Sequence, residues 1–124
     1  MKPDRCDRVS TYLCMTKDIG VGGNLFGGMM MAWMDEAAGI FAHQHTGVVR
    51  MVTLRYTDLV FKHPVRVGDI VEFYAQHPKQ GRTSITFDLE GWVGNNVVVQ
   101  TTCTFVAVDK TGKPVAIADA QKQD

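Results

Sequence analysis

The run from Asn24 to His43 constrains this chain more than any other. It is rich in methionine, leucine, alanine and aromatic residues, and only Ile40 is β-branched, a composition that favours helix. Its apolar side chains cover nearly the whole circumference instead of one stripe, so such a helix needs cover on most sides. At about 16–18 residues it would be about 24–27 Å long. Two adjacent acids, Asp35 and Glu36, interrupt it. A carboxylate on a mostly apolar helix is costly unless it is paired, hydrated or used.

The rest of the chain supplies the cover. Val9 to Met15 reads as a short strand, and Lys17 to Gly23 as a glycine-rich loop. After a helix stop near Gly47 the hydrophobic period changes from about 3.6 to about 2. Val48 to Phe61 predicts one long strand, with Val52, Leu54, Tyr56 and Val60 on one face. Ile70 to His77 predicts the next strand, with a turn at Pro78–Gly81. Thr83 to Val93 and Val97 to Val108 predict the last two strands, joined by a hairpin at Gly94–Asn96. Past Ala118 the tail reads as solvated or frayed. One strand, one buried helix and four antiparallel strands define an α+β chain, read as a single domain over residues 1–124. A five-stranded antiparallel sheet curled around the central helix would bury it on most sides. Curling still leaves two edges, and long valine-rich strands make poor exposed edges, so a dimer is expected that extends the sheet or packs helix beside helix.

Charge and composition exclude other classes. Thirteen basic and thirteen acidic residues give zero formal net charge, which argues against a nucleic-acid footprint or a polybasic membrane patch. Asp35 and Glu36 split the richest apolar run below the roughly 18–20 residues of a membrane span. The amino-terminal residues carry no apolar signal region. Cys6, Cys14 and Cys103 form no metal-ligand spacing and no closed disulfide set, which suits a reduced, cytoplasmic setting. His43 and His45 diverge by about 200° on a helix and cannot share a metal, so no metal site is expected.

The candidate chemistry lies on and before the helix. Asp35 sits about two turns in, too far for capping to explain. It could pair with Arg50, Arg55 or His43, lie on a solvated strip at a subunit boundary, or act as a catalytic acid. Glu36 is rotated by about 100° and suits a supporting role. Asn24 fits an N-cap by type and position. Gly27 and Gly28 lower helix propensity in the first turn; they serve either close packing or bare N–H groups able to stabilise an oxyanion. Gly27 and Asp35 lie about 12 Å apart along one axis. Two antiparallel helices in a dimer would instead set one helix start against the middle of the other. Trp33 suits packing, and the Met29–Met31 run suits core or the wall of an acyl pocket.

These residues carry a resemblance. Asn24-Leu25-Phe26-Gly27-Gly28 followed by Trp33-Met34-Asp35 resembles the signature of hotdog-fold acyl-CoA thioesterases of the YciA and cytosolic acyl-CoA hydrolase group. The stretch Phe61 to Asp69 is similar to that group's segment after the second strand. Gly81 to Ser84 resembles its next turn, and Thr104 to Asp109 its last strand. The resemblance implies a hotdog domain, an obligate homodimer assembled further into tetramers or hexamers, and hydrolysis of acyl-CoA at interface sites. It needs no cofactor, because coenzyme A is part of the substrate. Asp35 matches the catalytic acid, as general base or nucleophile. Asn24 matches the residue that orients water or substrate, and Gly28 with Gly27 the helix start that polarises the thioester carbonyl. Arg82, Thr83 and Ser84 match a turn that meets the CoA nucleotide. One position departs: many relatives carry an aspartate where Thr57 stands, and here the acid is Asp58.

Two other readings share the fold. A hydratase or dehydratase would pair its acid with a histidine in recognisable spacing, and none follows Asp35 closely. A non-catalytic acyl-CoA binder would be expected to lack the acid. Fold alone does not separate the three, so the site residues decide.

Overall fold

The computed structural model describes residues 1–121. Its elements are β1 (Arg8–Leu13), α1 (Gly27–Thr46), β2 (Met51–Phe61), β3 (Ile70–Gln80), β4 (Ser84–Val93), β5 (Asn96–Ala107) and the single turn α2 (Ile117–Ala120). The five strands form one antiparallel sheet in the order β1-β3-β4-β5-β2, so β1 and β2 are its two edges.

Helix α1 packs against all five strands. Its buried face is Met30, Trp33, Met34, Ala37, Ala38 and Ala42. The three alanines let the axis lie close to the sheet, where Phe73, Phe87, Leu89 and Phe105 fill the inner face. Phe41 and Phe105 flank Phe87, with ring centroids 4.6 and 6.0 Å away. The helix ends at Gly47, whose φ of 73° lets its N–H return to the His43 carbonyl at 2.8 Å. Such a left-handed residue is costly for any side chain with a Cβ.

Several local expectations change. Asn24 is not the N-cap; Phe26 occupies that position with no side-chain cap. The reason is tertiary. Leu25 pairs with Ile19 and donates to the Val65 carbonyl at 2.7 Å, which keeps the chain extended until Phe26. The strand begun at Ile70 does not turn at Pro78. It bulges at His77, resumes through Lys79 and Gln80, and turns only at Gly81–Thr83. Proline has no N–H to give a ladder, so a bulge is where a strand tolerates it. Beyond Ala118 the chain is not frayed as far as it is described, because Ala120 packs with Ile117, Val48 and Ala107 in a small second cluster. The remainder of that expectation lies outside the described residues.

The largest change is in β2. Its ladder with β5 slips between Thr53 and Arg55 and again between Thr57 and Val60. One extra residue inverts the alternation of side chains beyond it. Thr53 and Tyr56 therefore share the inner face although they are three positions apart. Val52, Leu54 and Val60 are each at least 43% exposed in the single chain, whereas Tyr56, expected on the same face, turns to Asp35 on the helix.

Phe87→Ala should cost about 3–5 kcal/mol, because its ring is 1% exposed between two other aromatic rings. Urea unfolding at fixed protein concentration measures it.

Candidate active site

Asp35 lies on the strip of α1 that the sheet leaves open, beside Met31 and Ala32. No cation comes within ion-pair distance of it among the described residues. Arg50, Arg55 and His43 therefore do not pair with it; His43 Nδ1 instead lies 2.8 Å from the Val48 carbonyl. Two hydroxyls from β2 take the place of a cation. Thr53 Oγ1 donates to Asp35 Oδ1 at 2.6 Å, and the Tyr56 hydroxyl donates to the same oxygen. Among the described residues Oδ2 has no hydrogen-bond partner.

Glu36, one residue on, faces the opposite edge. The Tyr12 hydroxyl of β1 donates to its Oε1 at 2.8 Å, and the Tyr12 ring stacks on Trp33 at 5.1 Å. Burial, and then the Glu36 carboxylate, push the Tyr12 phenol up to about 12. Tyr56 is raised well above the usual tyrosine range, first by burial and then by Asp35. Behind it Cys103 is pushed up to about 12, chiefly by burial and further by the charges of Asp35 and Asp88. All three groups are neutral near pH 7.

The start of α1 forms a second feature. Among the described residues the Gly27 and Gly28 N–H groups donate to nothing. A Cβ on Gly28 would sit 2.9 Å from the Phe26 ring, whereas one on Gly27 would meet open space. Close packing thus explains Gly28 and does not explain Gly27. Beside them Asn24, Met30, Phe61, Lys62 and His63 line a cleft of about 370 Å³. Trp33 is core, as packing required, and no cluster of three or more metal-ligating side chains is present among the described residues.

A thioesterase superfamily model matches residues 22–100. The chain belongs to that superfamily. It is 34% identical over 120 residues to the acyl-CoA thioester hydrolase YciA of Escherichia coli, covering 90% of each chain. It is 39% identical over 111 residues to an uncharacterized acyl-CoA thioester hydrolase of Buchnera aphidicola, covering 82% of each. The hexameric thioesterase y2039 of Yersinia pestis superposes with a TM-score of 0.82 at 37% identity, over 88% of this chain and 93% of that one. The hotdog architecture expected from the motifs is therefore present.

Within one chain of this thioesterase-superfamily protein the expected site residues fall into three groups. Asn24, Gly27 and Gly28 stand at the helix start. Asp35 lies about 10 Å farther along the axis from Gly28. Arg82, Thr83 and Ser84 form the β3–β4 turn at the far end of the sheet. Phe61, beside the helix start, pairs with Val99, while Ser84 pairs with Val106, about 24 Å along β5. The Arg82 and Thr83 carbonyls are engaged by the Ile117 and Ala107 N–H groups, each at 2.8 Å. Asp58, the displaced acid, has φ 53° at the second β2 bulge and lines an outer cleft with His77, Asp88 and Glu90. The roles of Thr53 and Tyr56 were not visible in the sequence, because an unbroken strand would set them on opposite faces.

The Tyr12–Glu36 bond has a consequence for alkaline stability. The folded chain retains a phenol proton that the unfolded chain releases above about pH 10, so this contribution falls as pH rises from about 10 toward 12. Glu36→Gln should lower the Tyr12 transition and flatten that fall. Unfolding midpoints measured on both proteins at about pH 9 and 11 give the difference.

Proposed function

We propose that this protein hydrolyses acyl-CoA thioesters to the free acid and CoA. The observation that carries the reading is Asp35: an acid on an open helix strip, one oxygen bonded by two hydroxyls and the other free. As general base, Oδ2 takes a proton from water while the water oxygen bonds to the thioester carbonyl carbon. As nucleophile, the same oxygen attacks that carbon directly, and water then hydrolyses the acyl–Asp35 anhydride left after thiolate departure, restoring the carboxylate and releasing the free acid and a proton. Either route places negative charge on the carbonyl oxygen, which the free N–H groups at Gly27 and Gly28 would stabilise. Each such donor is worth about 2.7–4 kcal/mol in acyl transfer. The C–S bond then breaks and the CoA thiolate leaves, taking up a proton.

Asp35 and the helix start of one chain are too far apart to act on one carbonyl. We therefore place the site between two chains, with Asn24, Gly27 and Gly28 facing the partner subunit's Asp35. The β2 edge supports this arrangement. It is unpaired and exposes Val52, Leu54, Val60 and Phe61, and Met31 is exposed on the neighbouring helix strip. A sheet edge with so much apolar surface favours pairing with another chain. The homodimer would assemble further into a tetramer or hexamer, the latter being the form of the Yersinia relative. Arg82, Thr83 and Ser84 would meet the CoA nucleotide. No cofactor beyond the substrate's own CoA enters the scheme. The free thiols suit a cytoplasmic setting, and no helix among the described residues is long and apolar enough to cross a membrane.

Thiol release from short, long and aromatic acyl-CoAs tests the reading. Wild type should turn over at least one class, and Asp35→Asn should lose about 10²–10⁴-fold in kcat while remaining folded. CoA binding without any thiol release would favour a non-catalytic binder. Near wild-type turnover in the variant would remove Asp35 from the chemistry.

The shared site has its own test. Asn24→Ala chains mixed with Asp35→Asn chains should regain one working site per mixed dimer. Verified mixed dimers that stay inactive would place both residues in one chain's site or outside it.

A further inference from the structure

The scheme above gives no task to Tyr56. Its residue stands opposite Cys103 in the β2–β5 ladder, and its hydroxyl reaches the same Asp35 oxygen as Thr53. A carboxylate held by one donor can still turn about its last torsion and exchange its two oxygens. Two donors rising from separate points on one strand fix the carboxylate plane and distinguish the oxygens. We propose that Tyr56 is a positioning residue for the reaction: together with Thr53 it clamps Asp35 through Oδ1, so that Oδ2 alone is presented to the reacting partner. This inference rests on the thioesterase reading.

Three further observations support it. The slip between Thr53 and Arg55 is what places both hydroxyls on the inner face, so the clamp and the bulge are one feature. Burial and the Asp35 charge keep the phenol protonated, so it remains a donor throughout the neutral range. The other ionisable groups around Asp35 do not compete for it. Cys103 on β5 remains a neutral thiol, Glu36 on α1 is engaged by Tyr12, and no cation on any described element forms an ion pair with Asp35.

Tyr56→Phe tests the clamp, since it removes the hydroxyl and keeps the ring. The expected result is a kcat about tenfold lower with KM within about twofold, the split that mispositioning of a reacting group produces. A purely structural tyrosine would instead lower the melting temperature and leave kcat in place, and that result overturns the proposal. A second readout needs no turnover. A hydroxyl proton bound to a carboxylate is protected from exchange, so proton NMR of wild type should show a resolved downfield signal that disappears in Tyr56→Phe. Absence of that signal in wild type overturns the clamp whatever the activity. Its presence in a protein that cleaves no CoA ester would support the clamp and count against the thioesterase reading alone.

Discussion

Two neighbouring acids on an apolar helix must each find donors, and in this protein they find them on opposite edges of the same sheet. Asp35 reaches Thr53 and Tyr56 on β2, and Glu36 reaches Tyr12 on β1. Successive helix positions point about 100° apart, so both bonds form only if the sheet curls far enough to bring each edge up beside the helix. Hydrogen bonds to charged groups contribute about 1.5–3 kcal/mol each where water is excluded and less on a strip as exposed as this one, so here they chiefly set how each carboxylate points. The curl of the sheet, the depth of α1 and the orientation of the candidate acid are thus one problem with one solution.

That solution loads the two edges unequally. Near β1 the second acid accepts a single bond, from Tyr12, whose ring is stacked on Trp33 and packed edge-on against Phe73, whereas the first acid accepts two bonds on one oxygen. Beside β2 the first acid keeps a free oxygen, and the strand shows apolar side chains to solvent in the single chain. An isolated monomer with that edge would be a poor soluble species, whereas pairing the edge would remove the liability. The feature that calls for a second chain and the feature that suits catalysis therefore sit side by side. This is the physical case for a site shared between subunits.

The bulges show how one extra residue sets which side chains face the helix. An extra residue in β2 turns Thr53 and Tyr56 to one face, and the next slip sends Asp58 to the other. Aspartate tolerates the left-handed backbone better than most residues, which suits it to the second slip. His77 adopts a similar φ of 55° at the β3 bulge, and its ring lies 2.9 Å from Asp88 on the outer face. The departure at Thr57 and Asp58 consequently leaves the hydroxyls on Asp35 untouched, because Asp58 lines the outer cleft, on the side of the sheet away from the helix.

The sequence by itself determined the helix, the succession of strands along the chain and the β3–β4–β5 hairpins, because these follow from local periods, glycine stops and short turns; the pairing of β1 with β3 and of β2 with β5, instead of β2 with its successor β3, was decided by the fold. It also singled out Asp35, since an acid two turns into an apolar helix conflicts with its surroundings wherever the chain folds. Only the tertiary structure decided who answers that acid. An arginine or histidine was as reasonable on residue type as a pair of hydroxyls. The choice depends on a register slip imposed by β5, roughly fifty residues downstream of Thr53. The same holds for Asn24, whose capping role is overridden by the bond from Leu25 to Val65, and for Ala120, which is buried by contacts with distant Val48 and Ala107. Local sequence carries periodicity and propensity. Register, and therefore which side chains meet at a site, belongs to partners far along the chain.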